Sequence, residues 1–327
     1  MSLHIIKHGL LDLVQDAGRY GYQHLGINPG GVMDSIAMRV ANILVGNDPS
    51  EAVIEMHFPA AEIEFEETVL IALAGADFSA SVDGKEIPAL TPVVIQKASV
   101  LHFGKKQNGA RIYLATHGGF AADEWLGSYS THTKVKAGGF EGRALQKNDR
   151  ITLKEKKQPA LAAEQTVQIF PWRANVSDMY RKDSFRFIPG NEYWSLDETS
   201  KHKLGKETFV ISRENDRMGY RLGAVSLQMM ATTELISTAV ARGTMQLLPD
   251  GQLIILMADH QTTGGYPRVG HIITADISSL AQMQAGEKFT LEHVTLADAE
   301  NLLLKQQMDL QQLQNACNFR LQEYLRR

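Results

Sequence analysis

Along most of the chain, hydrophobic residues fall in short runs separated by glycine, proline, asparagine or aspartate. Between Val69 and Leu153 the segments TVLIALAG, ASVDG, PVVIQ, SVLHFG, ARIYLATHGG and DRITL are short and rich in Val and Ile, which predicts successive β-strands. One stretch breaks the rhythm. In SIAMRVANILVGN, Ile36, Val40, Ile43 and Leu44 recur at helical spacing, Asp34 or Ser35 can cap the start, and Gly46 can close the end. After the charged segment Leu153 to Gln165 the strand pattern resumes in TVQIFPW, SFRFIPG, TFVISREN, GQLIILMAD and KFTLEHVT, with MYRKDSFRF suggesting a short helix leading into one of them. The last thirty-odd residues contain no glycine or proline. They place Leu303, Met308 or Gln307, Leu310, Leu313, Cys317 and Leu321 near one face, which predicts a C-terminal helix that packs on its own domain or on a partner.

The expected organisation is mainly β with a few helices: a β-rich domain over 1–155, a second over 165–294, and the helix over 295–327. A chain of 327 residues has room for two domains, and 44% hydrophobic with 21% charged residues is a globular composition. A formal charge of -4 without a basic face argues against nucleic acid as partner. The single cysteine excludes an intramolecular disulfide and a multi-thiolate zinc site, and fits a reducing compartment. The N-terminus lacks the charged lead and unbroken apolar core of a signal peptide, and no run of about 18 apolar residues occurs. A cytoplasmic protein without membrane spans is expected.

Candidate chemistry lies in four clusters that combine glycine with polar side chains: residues 16 to 34, 117 to 145, 214 to 224 and 260 to 270. Gly30–Gly31, Gly118–Gly119, Gly138–Gly139 and Gly264–Gly265 serve a tight turn or the close approach of backbone amides to a ligand equally well. No pair has Walker or dinucleotide spacing. The histidines, among them His4, His8, His117, His132, His260 and His271, are scattered without metal-ligand spacing, so no metal is expected. His260 is open to a proton-moving role or to a backbone bond in its loop. Arg143, Arg213, Arg217, Arg221 and Arg268 could hold a carboxylate, although Arg217 beside Asp216 could equally fix a loop. No nucleophile elbow and no CxxC occurs.

At these clusters the sequence resembles the biotin-dependent carboxyltransferase family, which includes second allophanate-hydrolase-type subunits, KipA-type proteins and the C subunit of bacterial 5-oxoprolinase. The resemblance is carried by GLLDLVQDAGRYGYQHLGINPGGVMD, ANILVGN, LIALAGADFSASVDG, GGFEGRALQKNDRI, NDRMGYRL, ELISTAV, MQLLPDGQLIILMADHQTTGGYPRVG and ITADISSLAQMQAGEKFTL, in order over residues 5 to 290. Three places depart from the family pattern. Thr238 stands where an acidic residue usually follows Ser237, Arg242 stands where proline is usual, and GGVMD at 30 to 34 replaces SGAMD.

The resemblance implies domains of the cyclophilin-like β-barrel type. It also implies a subunit of an ATP-dependent 5-oxoprolinase that opens the lactam of 5-oxoproline to glutamate. Its partners would be a KipI- or PxpB-like subunit and a PxpA-like subunit. A lactam is a poor electrophile, so such a reaction needs donors for developing oxygen and phosphate charge and an arginine for the substrate carboxylate. Biotin enters only under the other family activity, carboxyl transfer of the urea carboxylase type, for which this chain has neither an ATP-grasp domain nor an AMKM-like biotin acceptor; a KipA-like regulatory role is the third reading. The candidate catalytic residues are His260, Arg217 and Asp34. The candidate substrate-binding residues are Arg143, Arg221, Thr262, Thr263, Gly264, Gly265 and Tyr266, with the loops around Asp34, Arg143, Arg217 and His260 expected to share one groove.

Overall fold

The computed structural model describes residues 2–154, 158, 165–181, 183–231 and 235–325. Most of the expected linker, at 155–157 and 159–164, lies outside these residues. Contacts gather into two units, neither of them a continuous segment. One comprises Met1–Arg19, Asp34–Val176 and Met308–Arg327, and the other Tyr20–Met33 and Ser177–Gln307.

In the first unit the chain runs through β1 (Ser2–Lys7), β2 (Asp12–Gln15), α1 (Ser35–Leu44), β3 (Val53–His57), β4 (Glu62–Phe65), β5 (Val69–Asp77), β6 (Ala80–Val82), β7 (Lys85–Glu86), β8 (Pro92–Ile95), β9 (Val100–Phe103), β10 (Asn108–Thr116), β11 (Arg150–Thr152) and β12 (Val167–Ile169). They form two six-stranded sheets, ordered β11-β1-β4-β9-β6-β7 and β12-β8-β5-β10-β3-β2. Leu3 and Ile5 of β1, Ile63 and Phe65 of β4, Ile71 and Leu73 of β5 and Ile112 and Leu114 of β10 all enter one core, so each sheet turns its apolar face to the other. Burying one such side chain contributes about 1.5–3 kcal/mol.

The run VLIALA in β5 is buried on both faces because α1 packs on the side of β5 and β10 away from that core. A strand covered on both faces loses its alternation, which is why it reads as a continuous apolar run. Helix α1 starts as its sequence predicts: the Asp34 carboxylate accepts from the Ala37 N–H at 2.9 Å, and at the far end Gly46 donates its N–H to the Ile43 carbonyl at 3.1 Å.

The second unit contains β13 (Ser184–Pro189), α2 (Glu198–Lys206), β14 (Phe209–Asn215), β15 (Gly219–Gly223), β16 (Thr238–Ala239), β17 (Thr244–Leu247), β18 (Leu253–Leu256), β19 (Thr263–Gly264), β20 (Arg268–Ile272), α3 (Thr274–Ala281) and β21 (Lys288–His293). Seven strands close into a barrel in the order β13-β20-β17-β18-β15-β14-β21, with the parallel pair β13 and β21 completing the ring. Phe185, Phe187, Ile211, Tyr220, Met245, Ile255 and Phe289 fill it. Strands β16 and β19 form a separate two-stranded ribbon. The helix expected in MYRKDSFRF is only a 3-10 turn at Ser177–Met179, placed before the strand.

The C-terminal helix is α4 (Leu296–Leu325). Leu310, Cys317 and Leu321 are buried and Leu303 and Leu313 half-buried, but Met308 and Gln307 are exposed, so the packed face is narrower than its spacing suggests. Tyr324 stacks on Phe170, with ring centroids 4.6 Å apart. Burial pushes the Cys317 thiol up to about 11, so it carries almost no thiolate at neutral pH and acts as packing. Among the described residues no helix is long and apolar enough to cross a membrane.

Candidate functional site

In the first unit, two of the four glycine clusters meet. The Asp16 carboxylate accepts from the Ser128 hydroxyl (2.6 Å), the Ser130 hydroxyl (2.5 Å) and the backbone N–H groups of Tyr129 (2.6 Å) and Gly18 (2.8 Å). Beside it the buried Arg19 donates to the Ser130 carbonyl and lies 4.8 Å from the centre of the Trp125 ring. Gly139 completes the fit, since a Cβ there would fall 1.9 Å from Thr131 Oγ1. A buried carboxylate with four donors is a structural knot.

In the second unit, Arg217 is 7% exposed, and its guanidinium holds Asp259 with two bonds, Nε to Oδ2 at 2.8 Å and Nη2 to Oδ1 at 3.1 Å. Nη2 also donates to the Gly31 carbonyl at 2.6 Å. Arg242 donates to the Val32 carbonyl at 3.1 Å and to that of Met33. Two guanidiniums thus clasp three consecutive carbonyls at the end of the Tyr20–Met33 segment. Arg242 and the GGVMD stretch therefore meet through backbone carbonyls.

His260 follows Asp259 and is 3% exposed. Its Nδ1 lies 2.5 Å from the Gln261 carbonyl, which assigns the proton to Nδ1 and makes Nε2 the acceptor. Burial lowers its pKa, and the Arg242 charge adds to this, against the opposing effects of the Gln261 carbonyl and Asp259. The ring is therefore neutral at pH 7.

The outer faces of β15, β17 and β18, with the end of β14, line a groove of about 470 Å³. Met218, Leu248, Ile254 and Leu256 give it an apolar floor, and Arg213, Glu214, Asp216, Gln261 and Tyr266 supply polar groups. Arg221 lines it too, but its guanidinium is engaged by Gln252 at 2.7 Å, by Glu214 at 3.0 Å and by Asp250. On β17, Gln246 is 1% exposed and also lines the groove. Its Oε1 accepts from Gln261 Nε2 at 3.2 Å, whereas its own buried Nε2 donates to no described residue. A buried donor without an acceptor costs about 1–3 kcal/mol.

Next to this amide runs β19. Gly30, Gly31, Gly118, Gly119, Gly138 and Gly139 all have positive φ, but Gly264 and Gly265 do not. The last pair is therefore there for space. A Cβ on Gly264 would lie 2.4 Å from Gln246 Nε2. Thr263 pairs with Ala239 and Gly264 with Thr238, the Thr262 carbonyl accepts from the Val240 N–H at 3.1 Å, and Tyr266 is 45% exposed on the groove.

Of the expected residues, Arg217, Arg221, His260 and the 262–266 segment fall in the second unit, while Asp34 and Arg143 fall in the first. Asp34 serves as the α1 cap and donates its N–H to Tyr113 Oη at 2.9 Å. Arg143 is bound to Asp149 at 2.7 Å and Glu141 at 2.6 Å, with a further bond to the Ala144 carbonyl. Gln246 and Gln261 were not foreseen as site residues. The available signal was a glutamine inside the apolar strand TMQLL.

The chain belongs to the family described as carboxyltransferase domain, subdomain A and B, whose pattern matches residues 25–293. It is similar to the C subunit of 5-oxoprolinase from Escherichia coli, 35% identical over 95% of this chain and 97% of that one. Its likeness to the corresponding C subunit from Haemophilus influenzae is 33% over 92% of this chain and 94% of that one. Among solved structures it superposes on the Kluyveromyces lactis urea carboxylase with a TM-score of 0.86 at 22% identity, covering 95% of this chain but 29% of that one, which is a likeness of fold.

Proposed function

We propose that this chain is the C subunit of an ATP-dependent 5-oxoprolinase, which hydrolyses 5-oxoproline to L-glutamate in the cytoplasm together with A and B subunits of the PxpA-like and PxpB- or KipI-like kinds. The observation that carries this reading is the end-to-end match, in both directions, to two proteins of that name. Proteins of the urea carboxylase kind match only with a fraction of a much longer chain. The groove places Glu214 and Asp216 beside its arginines, and Arg221 is held by carboxylates of its own. That charge balance does not suit a triphosphate in this groove.

The second reading, transfer of a carboxyl group from biotin carried by another protein, is favoured by the family to which the chain belongs. A KipA-like regulatory role would require binding to a KipI-like partner without turnover. Mixing the chain with A and B subunits and measuring ATP hydrolysis that depends on 5-oxoproline separates these readings. Turnover that needs all three chains supports the first; full turnover without this chain ends it, and a co-purifying biotinylated protein would favour the second.

A further inference from the structure

We infer that Gln246 is a positioning residue for the groove on the barrel of the second unit: through its fit with Gly264 and its bond to Gln261, it sets where Gln261 and Tyr266 stand on the groove wall. What this implies for turnover rests on the 5-oxoprolinase reading, whereas the fit itself does not.

Met245 and Leu247 enter the barrel core, so Gln246 between them points to the outer face of β17. It is nevertheless only 1% exposed, because the 261–266 segment lies over it. Gln261 Nε2 donates to Gln246 Oε1 at 3.2 Å, and a Cβ on Gly264 would stand 2.4 Å from Gln246 Nε2. The backbone of Gly264 is outside the left-handed region, so it is the amide beneath that requires glycine there. The segment placed by these two contacts carries Gln261 at one end and Tyr266 at the other, and both line the groove. The ladder beside Gln246 is irregular as well: Met245 pairs with Gly270 but Gln246 with Arg268, which leaves Val269 as an extra residue on β20. Bulges of this kind re-aim side chains and recur beside functional sites.

Stability does not explain the choice of residue. Gln246 Nε2 is buried without an acceptor among the described residues, and an apolar side chain of the same length would fill the wall without that cost. A residue that costs stability while it places two groove residues belongs to a site whose geometry outweighs the stability of its strand.

The test is Gln246→Met in the full chain, read by Tm, by hydrogen exchange of the 261–266 amides, and by 5-oxoproline-dependent ATP hydrolysis in the assembly with A and B subunits. Methionine keeps the length and removes the amide. Tm should stay at or above the native value, while exchange in 261–266 rises about fivefold or more. KM for 5-oxoproline should rise by about fivefold or more, with kcat held within about twofold. Gly264→Ala should act in the same direction by forcing the segment off the amide. Adding Gln246→Asn, which draws the amide back, should return the Gly264→Ala protein toward native exchange and KM. Native exchange in Gln246→Met, a fall in Tm with exchange rising throughout the barrel, or no rescue of Gly264→Ala by Gln246→Asn would overturn the assignment. Raised exchange with native KM in an active assembly would overturn it too, because the fit would then be packing alone. If the native chains together show no 5-oxoproline-dependent turnover, the 5-oxoprolinase reading falls, and exchange and rescue still decide the fit.

Discussion

Arg217 has a carboxylate-binding appearance in sequence but sits in the structure as a clasp, and replacing it with methionine separates the two roles. Methionine keeps the length and apolar stem of the side chain and deletes the guanidinium. Asp259 then loses both of its charge-assisted bonds, at 2.8 and 3.1 Å, and the Gly31 carbonyl loses a donor at 2.6 Å. Breaking a buried pair from one side costs about 3–5 kcal/mol. The Asp259 side chain retains 29% exposure, which lets water take up part of its charge and moves the expected cost to about 3 kcal/mol. For a unit of this size that corresponds to a fall in Tm of roughly 6–12 °C. Differential scanning calorimetry reads the fall, and hydrogen exchange should rise in the Tyr20–Met33 segment. A Tm within about 2 °C of native, accompanied by complete loss of activity in the assembly with its A and B partners, would refute the clasp and return Arg217 to the chemistry.

Three further substitutions test other parts of the structure. Asp34→Ala should destabilise the first unit by about 1 kcal/mol through loss of the α1 cap, whereas Asp34→Asn, which can still cap, should stay near native in urea unfolding; loss of activity in the stable Asn variant would instead show that the carboxylate is chemical. Burial raises the Asp12 pKa to about 7 from 3.8, against the backbone N–H groups of Gly9 and Ala61 and the His8 charge. The folded state therefore holds its proton where the unfolded chain has lost it: the associated stability is full below pH 3.8 and is lost as pH rises through about 7, a swing of about 4 kcal/mol. Asp12→Asn should gain on the native protein between pH 4 and pH 8.5 in urea melts, and a difference that does not change with pH would contradict the burial argument. Both His260 and His271 have pKa values lowered from 6.5, chiefly by burial. Their unfolded forms bind protons first, so stability is full above pH 6.5 and declines as pH falls through it. Replacing both with glutamine should flatten that acid slope.

Strands were legible where a short apolar run is bounded by turn residues, as in β5, β8, β10 and β18, whereas β1 and β4, whose burial alternates, were not among the segments read as strands. The run in β5 was legible as a strand, but its double covering by the core and α1 was not read from it. Helix α1 was legible, but α2 and α3 were not. Only Ser200 and Leu204 of α2 are buried, which leaves no apolar period to read, and α3 begins after Ile273 without a side-chain cap. In α4 the spacing marked the right side of the helix but also included Met308, which is 63% exposed. Periodicity finds a face, while the contacts that cover it come from segments distant in sequence. Closure of the barrel through the parallel β13–β21 pair is likewise a long-range fact that no local pattern encodes.

The site shows the same division. Glycine pairs and arginines advertise themselves in sequence, yet three of the four pairs have positive φ, and Arg143 and Arg221 are each held by two carboxylates. Residue type alone does not reveal whether a guanidinium has already found its anion. Gln246 carries the opposite lesson. A glutamine in the middle of TMQLL contradicts the apolar pattern of its strand, and such a contradiction destabilises the fold unless the amide is answered. The chain answers one end with Gln261 and buries the other against Gly264. A residue that works against its own strand, beside a glycine whose φ needs no glycine, marks a packing constraint that neither composition nor charge displays.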